Sequence, residues 1–194
     1  MTTPPPADPV ALHWVRSAGE LRAALALRLR VFCDEQGVPR EIEVDEYDDV
    51  ARHAVALAPD GRVVGTMRLV AAGTMVKVGR VAVDRDWRGR GIASALLDRA
   101  MEYAQGIRAE ELRLAAQVAA VDLYRKAGYR PVGQPFEEAG IEHVWMVREV
   151  VPVRRGGGLS GIARAVGRVR SAVVPGGSDG SQAGGSSAGP DPAA

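Results

Sequence analysis

One stretch constrains the fold more than any other: Val81-Ala-Val-Asp-Arg-Asp-Trp-Arg-Gly-Arg-Gly-Ile-Ala93. Upstream of it, Met75 to Val83 alternates apolar residues with Lys77, Gly79 and Ala82, the period of a strand. Downstream, Gly91 to Gln105 sets Ile92, Leu96 and Ala100 on one helical face, with Gly106 as the stop. A strand therefore feeds a helix through a short loop of glycine and arginine. Glycine admits positive φ and close backbone approach, and the first amides of a helix lack intrahelical partners. With the positive end of the helix dipole, such a loop suits a pyrophosphate. It is not a Walker loop, since no Gly-Lys-Ser/Thr follows, and it lacks the full G-x-G-x-x-G of a Rossmann fingerprint.

The other periodicities complete an α/β layer fold, a mixed central sheet with helices on its faces. Leu12 to Arg16 reads as a strand, and Ser17-Ala-Gly-Glu20 has the spacing of a capping box. The helix it opens runs to about Phe32, with either Leu21, Leu25 and Leu29 or Leu21, Ala24 and Arg28 inward. From Asp34 to Asp49 the periodicity vanishes, and the segment reads as an acidic loop. His53 to Ala58 and Val63 to Ala71 form a hairpin about Pro59-Asp60-Gly61. Glu111 to Ala116 is a strand and Val118 to Lys126 a helix stopped by Gly128. Tyr129 to Phe136 and Ile141 to Arg148 close the sheet.

Composition sets the boundaries. All nine aromatic residues fall between Trp14 and Trp145, while the 42 residues from Val153 hold 11 of the 23 glycines. The folded domain is thus expected over 10–152, with a flexible 1–9 and a disordered 153–194. Within that tail, Leu159 to Val174 carries an apolar helical stripe flanked by arginines, broken by Gly161 and Gly167. A formal net charge of +1 gives no global field for nucleic acid. Cys33 is the single cysteine, so neither a disulfide within the chain nor a cysteine-based metal cluster is expected, and a reducing cytoplasm fits. No apolar run reaches the ~18–20 residues of a membrane span, and MTTPPPADP lacks the order of a signal peptide.

Arg88-Gly-Arg-Gly91-Ile-Ala93 resembles the R/Q-x-x-G-x-G/A motif of the GNAT N-acetyltransferase superfamily. Three further segments resemble the family in the same order. These are Leu29-Arg-Val-Phe-Cys-Asp-Glu-Gln36 with Glu43 to Asp49, Leu114-Ala-Ala-Gln117, and Leu123-Tyr-Arg-Lys-Ala-Gly-Tyr129. Phe136 to Met146 is similar to the closing strands of small bacterial members, so the likeness covers about Leu12 to Val150. It implies the GNAT fold and acetyl-CoA as co-substrate, with no metal. Val81, Ala82 and Val83 would pair with the pantetheine arm, and Arg88, Gly89, Arg90, Gly91, Ile92 and Ala93 would cradle the pyrophosphate. Gln117, Tyr124 and Lys126 would complete the cofactor site, with Arg85 or Lys126 near the 3′-phosphate.

Acetyl transfer needs a neutral amine, a polarised carbonyl and a proton for the leaving thiolate. The backbone N–H of Val83 is placed as the polarising donor. Tyr124 occupies the motif position of the acid, and a phenol stays protonated at neutral pH. The base is open. Where many members carry a glutamate on the fourth strand, this chain has Val78, Gly79 and Arg80. His53, His143, Asp45, Glu46 and Asp49 remain candidates, as does water.

The acceptor is expected to be a small-molecule or peptide amine. Eight of the 24 acids lie between Asp34 and Asp49, which suggests either a solvated loop or a negative rim for a cationic acceptor. A homodimer is compatible with the sequence. Arg30-Val-Phe32, Glu43 to Asp48 and Gly65-Thr-Met-Arg68-Leu69 also resemble acyl-homoserine-lactone synthases, which share the fold. A non-catalytic acetyl-CoA sensor is the third reading.

Overall fold

The expected alternations build seven strands in the computed structural model, which describes residues 10–152. The readings of 1–9, of 153–194 and of the 159–174 helix lie outside the described residues. In chain order the elements are β1 (Ala11–Trp14), α1 (Ala18–Arg28), α2 (Arg40–Glu43), β2 (Arg52–Leu57), β3 (Val63–Ala72) and β4 (Met75–Val83). They continue with α3 (Ile92–Gly106), β5 (Glu111–Gln117), α4 (Val121–Lys126), β6 (Arg130–Glu138) and β7 (Ile141–Glu149). One mixed sheet has the order β1-β2-β3-β4-β5-β7-β6, and among the described residues its only parallel pair is β4 with β5. Among the described residues, no helix is long and apolar enough to cross a membrane.

The core lies on both faces of this sheet. Helix α3 buries Ile92, Leu96, Leu97, Ala100 and Ala104 against Met67, Leu69, Val76, Val78, Leu112 and Leu114. Each leucine so buried contributes roughly 1.5–3 kcal/mol. Gly65 makes this approach possible, because a Cβ there would stand 2.6 Å from Ile92 Cγ2 and 3.1 Å from the Ala56 Cβ. On the other face α1 packs Ala24 and Leu27, with Val31 beyond, against Val55, Val63 and Ala82. The inward row of α1 is therefore the one that includes Ala24 and Arg28, not Leu21, Leu25 and Leu29.

Three local expectations are corrected. Helix α1 stops at Arg28 and passes into a wider π turn over Leu29–Asp34, with Glu35 N–H donating to the Arg30 carbonyl at 3.0 Å. The acidic loop is not shapeless: it holds α2 and a 3₁₀ turn over Glu46–Asp49. Asp45 and Asp48 cap that turn reciprocally, a local device with no hydrophobic period to reveal it. Gly106 is the last residue of α3 rather than its left-handed stop. Arg108 takes the positive φ of 60°, and Ala109 N–H returns to the Ala104 carbonyl at 2.9 Å.

Candidate active site

The site begins where two parallel strands part. β4 and β5 are paired only from Met75–Lys77 against Glu111–Arg113. Beyond Lys77 they diverge, while β5 stays paired with β7 along its whole length. A cleft of about 850 Å³ opens in the wedge, within the range of small-molecule sites.

β4 bends into this wedge at a bulge. Arg68 faces Gly79 but Thr66 faces Ala82, so β4 carries one residue more than β3, and Arg80 adopts φ 54° there. Past the bulge, Asp84 N–H donates to the Val64 carbonyl at 2.9 Å. Hydrogen-bonded pairs alternate along an antiparallel ladder, so Val83, opposite Gly65, turns its N–H and C=O away from β3. They face the cleft, where the Val83 carbonyl accepts from Arg88 Nε at 3.1 Å. Arg88 Nη2 also reaches Glu35 at 2.7 Å.

The glycine–arginine loop is preformed. Asp84 caps a 3₁₀ turn over Arg85–Trp87, and Gly89 and Gly91 take φ of 75° and 77°. Gly91 is the N-cap of α3 and offers no side-chain cap. The first bond of the helix runs from Ala95 N–H to the Gly91 carbonyl at 3.0 Å. The amides of Ile92, Ala93 and Ser94 therefore have no helical partner and stand open at the positive end of the dipole.

Of the residues picked out in the sequence, this cleft gathers Val81, Ala82, Val83, Arg88, Gly89, Gly91, Ile92, Ala93, Gln117, Tyr124, Lys126 and His143. Arg90 is not in its lining: its guanidinium lies 4.5 Å over the Trp87 ring and donates to the Asp86 carbonyl. Gln117 donates to Gln36 Oε1 at 2.7 Å, tying the end of β5 to the loop after α1. Tyr124 sits edge-on to Tyr129 at 6.1 Å, and burial pushes its phenol up to about 12.

The two histidines part company. His53 is buried outside the cleft lining, its Nε2–H donating to the Asp48 carbonyl at 3.0 Å and its Nδ1 without a partner. Burial lowers its pKa, against the pull of the Asp48 carbonyl and carboxylate. His143 lines the cleft, with Nδ1 2.8 Å from the Ile141 carbonyl. A carbonyl only accepts, so Nδ1 carries the proton and the neutral ring keeps its lone pair on Nε2.

The expected negative rim is largely spent. Arg28 lies fully buried and donates to Glu43 Oε1 and Asp48 Oδ1, each at 2.5 Å, and to the Glu43 carbonyl. Arg68 holds Asp45 and Asp48 at 2.5 and 2.9 Å, and Arg80 holds Glu43 and Asp45 at 3.0 and 3.3 Å. Three arginines and three acids thus cancel. Burial raises the Asp48 carboxyl, but Arg28 and Arg68 outweigh it and hold it at about 2. Asp34 and Glu35 pair with Arg40 and Arg88, leaving Glu41, Glu46 and Asp49 without an ion pair among the described residues. Sequence reading missed this cluster because its cations lie on α1, β3 and β4, far from the acids in the chain. The same pairing accounts for the synthase-like Glu43, Asp45, Asp48 and Arg68, and packing against Ile92 accounts for Gly65.

A splayed parallel pair, a left-handed glycine loop and open helix amides make a cleft in an α/β fold suited to a phosphate-bearing ligand. The chain belongs to the GNAT acetyltransferase family: residues 21–150 match the family model described as an acetyltransferase (GNAT) domain. It is 33% identical over 132 residues to the Bacillus subtilis protein named uncharacterized N-acetyltransferase YjcF, covering 67% of this chain and 93% of that one. It is 31% identical over 143 residues to the Escherichia coli protein ElaA, covering 72% and 94%. The ElaA crystal structure superposes with a TM-score of 0.65 over 72% of this chain and 99% of that one. An acyl-CoA N-acyltransferase from Pseudomonas aeruginosa superposes at 0.66, with 29% identity, over 72% and 99%.

Proposed function

We propose that this protein is an N-acetyltransferase that moves the acetyl group of acetyl-CoA directly to an amine. The observation that carries this reading is the continuity of one surface. The Val83 N–H at the end of β4 leads into the Gly89–Gly91 loop and the open amides of α3. A Cβ at Gly89 or Gly91 would meet nothing within 4 Å, so the space over the loop is clear for a pyrophosphate.

Acetyl-CoA would supply a thioester, whose acyl carbon a neutral amine attacks with loss of the thiol. The chain's own groups would do the rest. Arg88 Nε yields the Val83 carbonyl to a pantetheine amide, and the Val83 N–H donates to the acyl oxygen. Lys126, which is exposed and in no ion pair among the described residues, lies in reach of phosphate. Tyr124 makes no side-chain hydrogen bond among the described residues, so its O–H is available to the leaving sulfur. His143 Nε2, directly or through water, takes the proton that the amine gives up. His53, sealed under the charge cluster, acts in this account as a packing residue.

The test of the cofactor site is thermal. Acetyl-CoA at millimolar concentration is expected to raise Tm, because it binds only the native state. Gly91→Glu is expected to abolish most of that rise, since it puts a side chain at φ 77° and a negative charge among the phosphate-binding amides. A wild-type Tm unmoved by acetyl-CoA would remove the proposal.

A further inference from the structure

Lys77 and Gly79 stand two residues apart on β4, so they share one face of the sheet, and both line the cleft. Nothing in the backbone demands glycine at 79: its φ is not positive, and a Cβ would meet nothing within 4 Å. A glycine inside a strand forgoes packing, and here the room it leaves belongs to the cleft. Lys77 Nζ lies 5.7 Å from the centroid of Trp145, which is stacked on Phe136 at 5.5 Å. Two residues along β7 on the same face comes His143, whose ring also stacks on Phe136, at 5.9 Å.

The charges at this end of the cleft do not balance. Glu43 is held by Arg28 and Arg80, Arg80 by Glu43 and Asp45, and Arg88 by Glu35. Lys77 has no ion pair or hydrogen bond among the described residues, and the remaining acid of the lining, Glu138, is exposed on the β6–β7 hairpin. The lining of the same cleft also carries apolar residues, among them Val38, Ile42 (45% exposed) and Ile141. Positive charge, an apolar wall and an unfilled Gly79 together describe an anionic ligand with a hydrocarbon body.

We infer that the acceptor is an amino-acid-like amine: Lys77 binds its carboxylate, and the space at Gly79 takes its carbon skeleton. This rests on the N-acetyltransferase reading, and it replaces the expectation of a cationic acceptor. About 20 Å of strand separates Lys77 from Val83, the donor to the acyl oxygen, at 3.3 Å per residue, before the bulge shortens it. The four-carbon stem of Lys77, the amino acid and the acyl group each cover part of that span.

The test is calorimetric binding to the CoA-saturated protein, which has no acetyl group to transfer. The probes are leucine, leucinamide and isoamylamine, with phenylalanine, phenylalaninamide and 2-phenylethylamine beside them. At least one acid is expected to bind about tenfold more tightly than its amide, the scale of one charge-assisted contact. Lys77→Met is expected to erase that preference while leaving CoA affinity within about twofold. The inference is overturned if no acid binds, if amides match the acids, or if Lys77→Met keeps the preference. Binding of the acids without any thiol released from acetyl-CoA would instead overturn the acetyl-transfer reading and leave the carboxylate site standing.

Discussion

Replacing Tyr124 by phenylalanine is expected to lower kcat by about 10²–10⁴-fold while leaving affinity for acetyl-CoA within about twofold. The range follows from the usual worth of a positioned general acid. The substitution removes one oxygen from a ring that keeps its edge contact with Tyr129, so the cleft wall should persist. Burial holds the phenol at about 12, so the proton is present across the neutral range and is lost only as pH rises toward that value. The pH–rate profile should therefore show no descending limb from Tyr124 across the neutral range. A Tyr124→Phe variant with wild-type kcat would reduce this tyrosine to a packing residue. A protein that binds acetyl-CoA without turning over would be a sensor instead.

The second large effect concerns stability. Arg28→Met is expected to cost about 3–5 kcal/mol, because it leaves Glu43 and Asp48 buried without their main cation. That is a large share of the roughly 5–15 kcal/mol of a typical domain. Equilibrium urea unfolding of Arg28→Met beside Arg62→Met would measure it. Arg62 pairs with Asp60 at 2.7 Å but is 64% exposed, so its loss should cost far less. Equal effects at the two sites would contradict the picture of a buried, mutually neutralised cluster. The acid limb follows from Asp48, whose folded pKa is depressed. Its contribution is complete above about pH 4 and is lost as pH falls toward about 2.

What the sequence disclosed and what it hid divide along physical lines. Local periodicity exposed all seven strands and α3, because apolar spacing is set by each element alone. The glycine–arginine loop was legible for the same reason: Gly89 and Gly91 take their positive φ within a single turn. Long-range pairing was not. Arg28 and Asp48 lie 20 residues apart and Arg80 and Asp45 lie 35, so acids that read as a solvated loop or a rim are the counter-ions of buried arginines. No alternation of apolar residues marks the splay of β4 from β5 beyond Lys77 or the one-residue bulge at Arg80. Nor could spacing separate His53 from His143. Tertiary burial seals His53, while His143 lines the cleft and its bond to the Ile141 carbonyl leaves the Nε2 lone pair free.

Transfer of an acetyl group from acetyl-CoA to an amine, as proposed, would release one free thiol for each amine acetylated. The most direct measurement follows free thiol release from acetyl-CoA across a panel of amines, with mass spectrometry of each amine. Release in step with an N-acetylated product is expected for at least one carboxylate-bearing amine, suppressed in Tyr124→Phe. Measurable acetyl-CoA binding with no thiol released by any amine would contradict it.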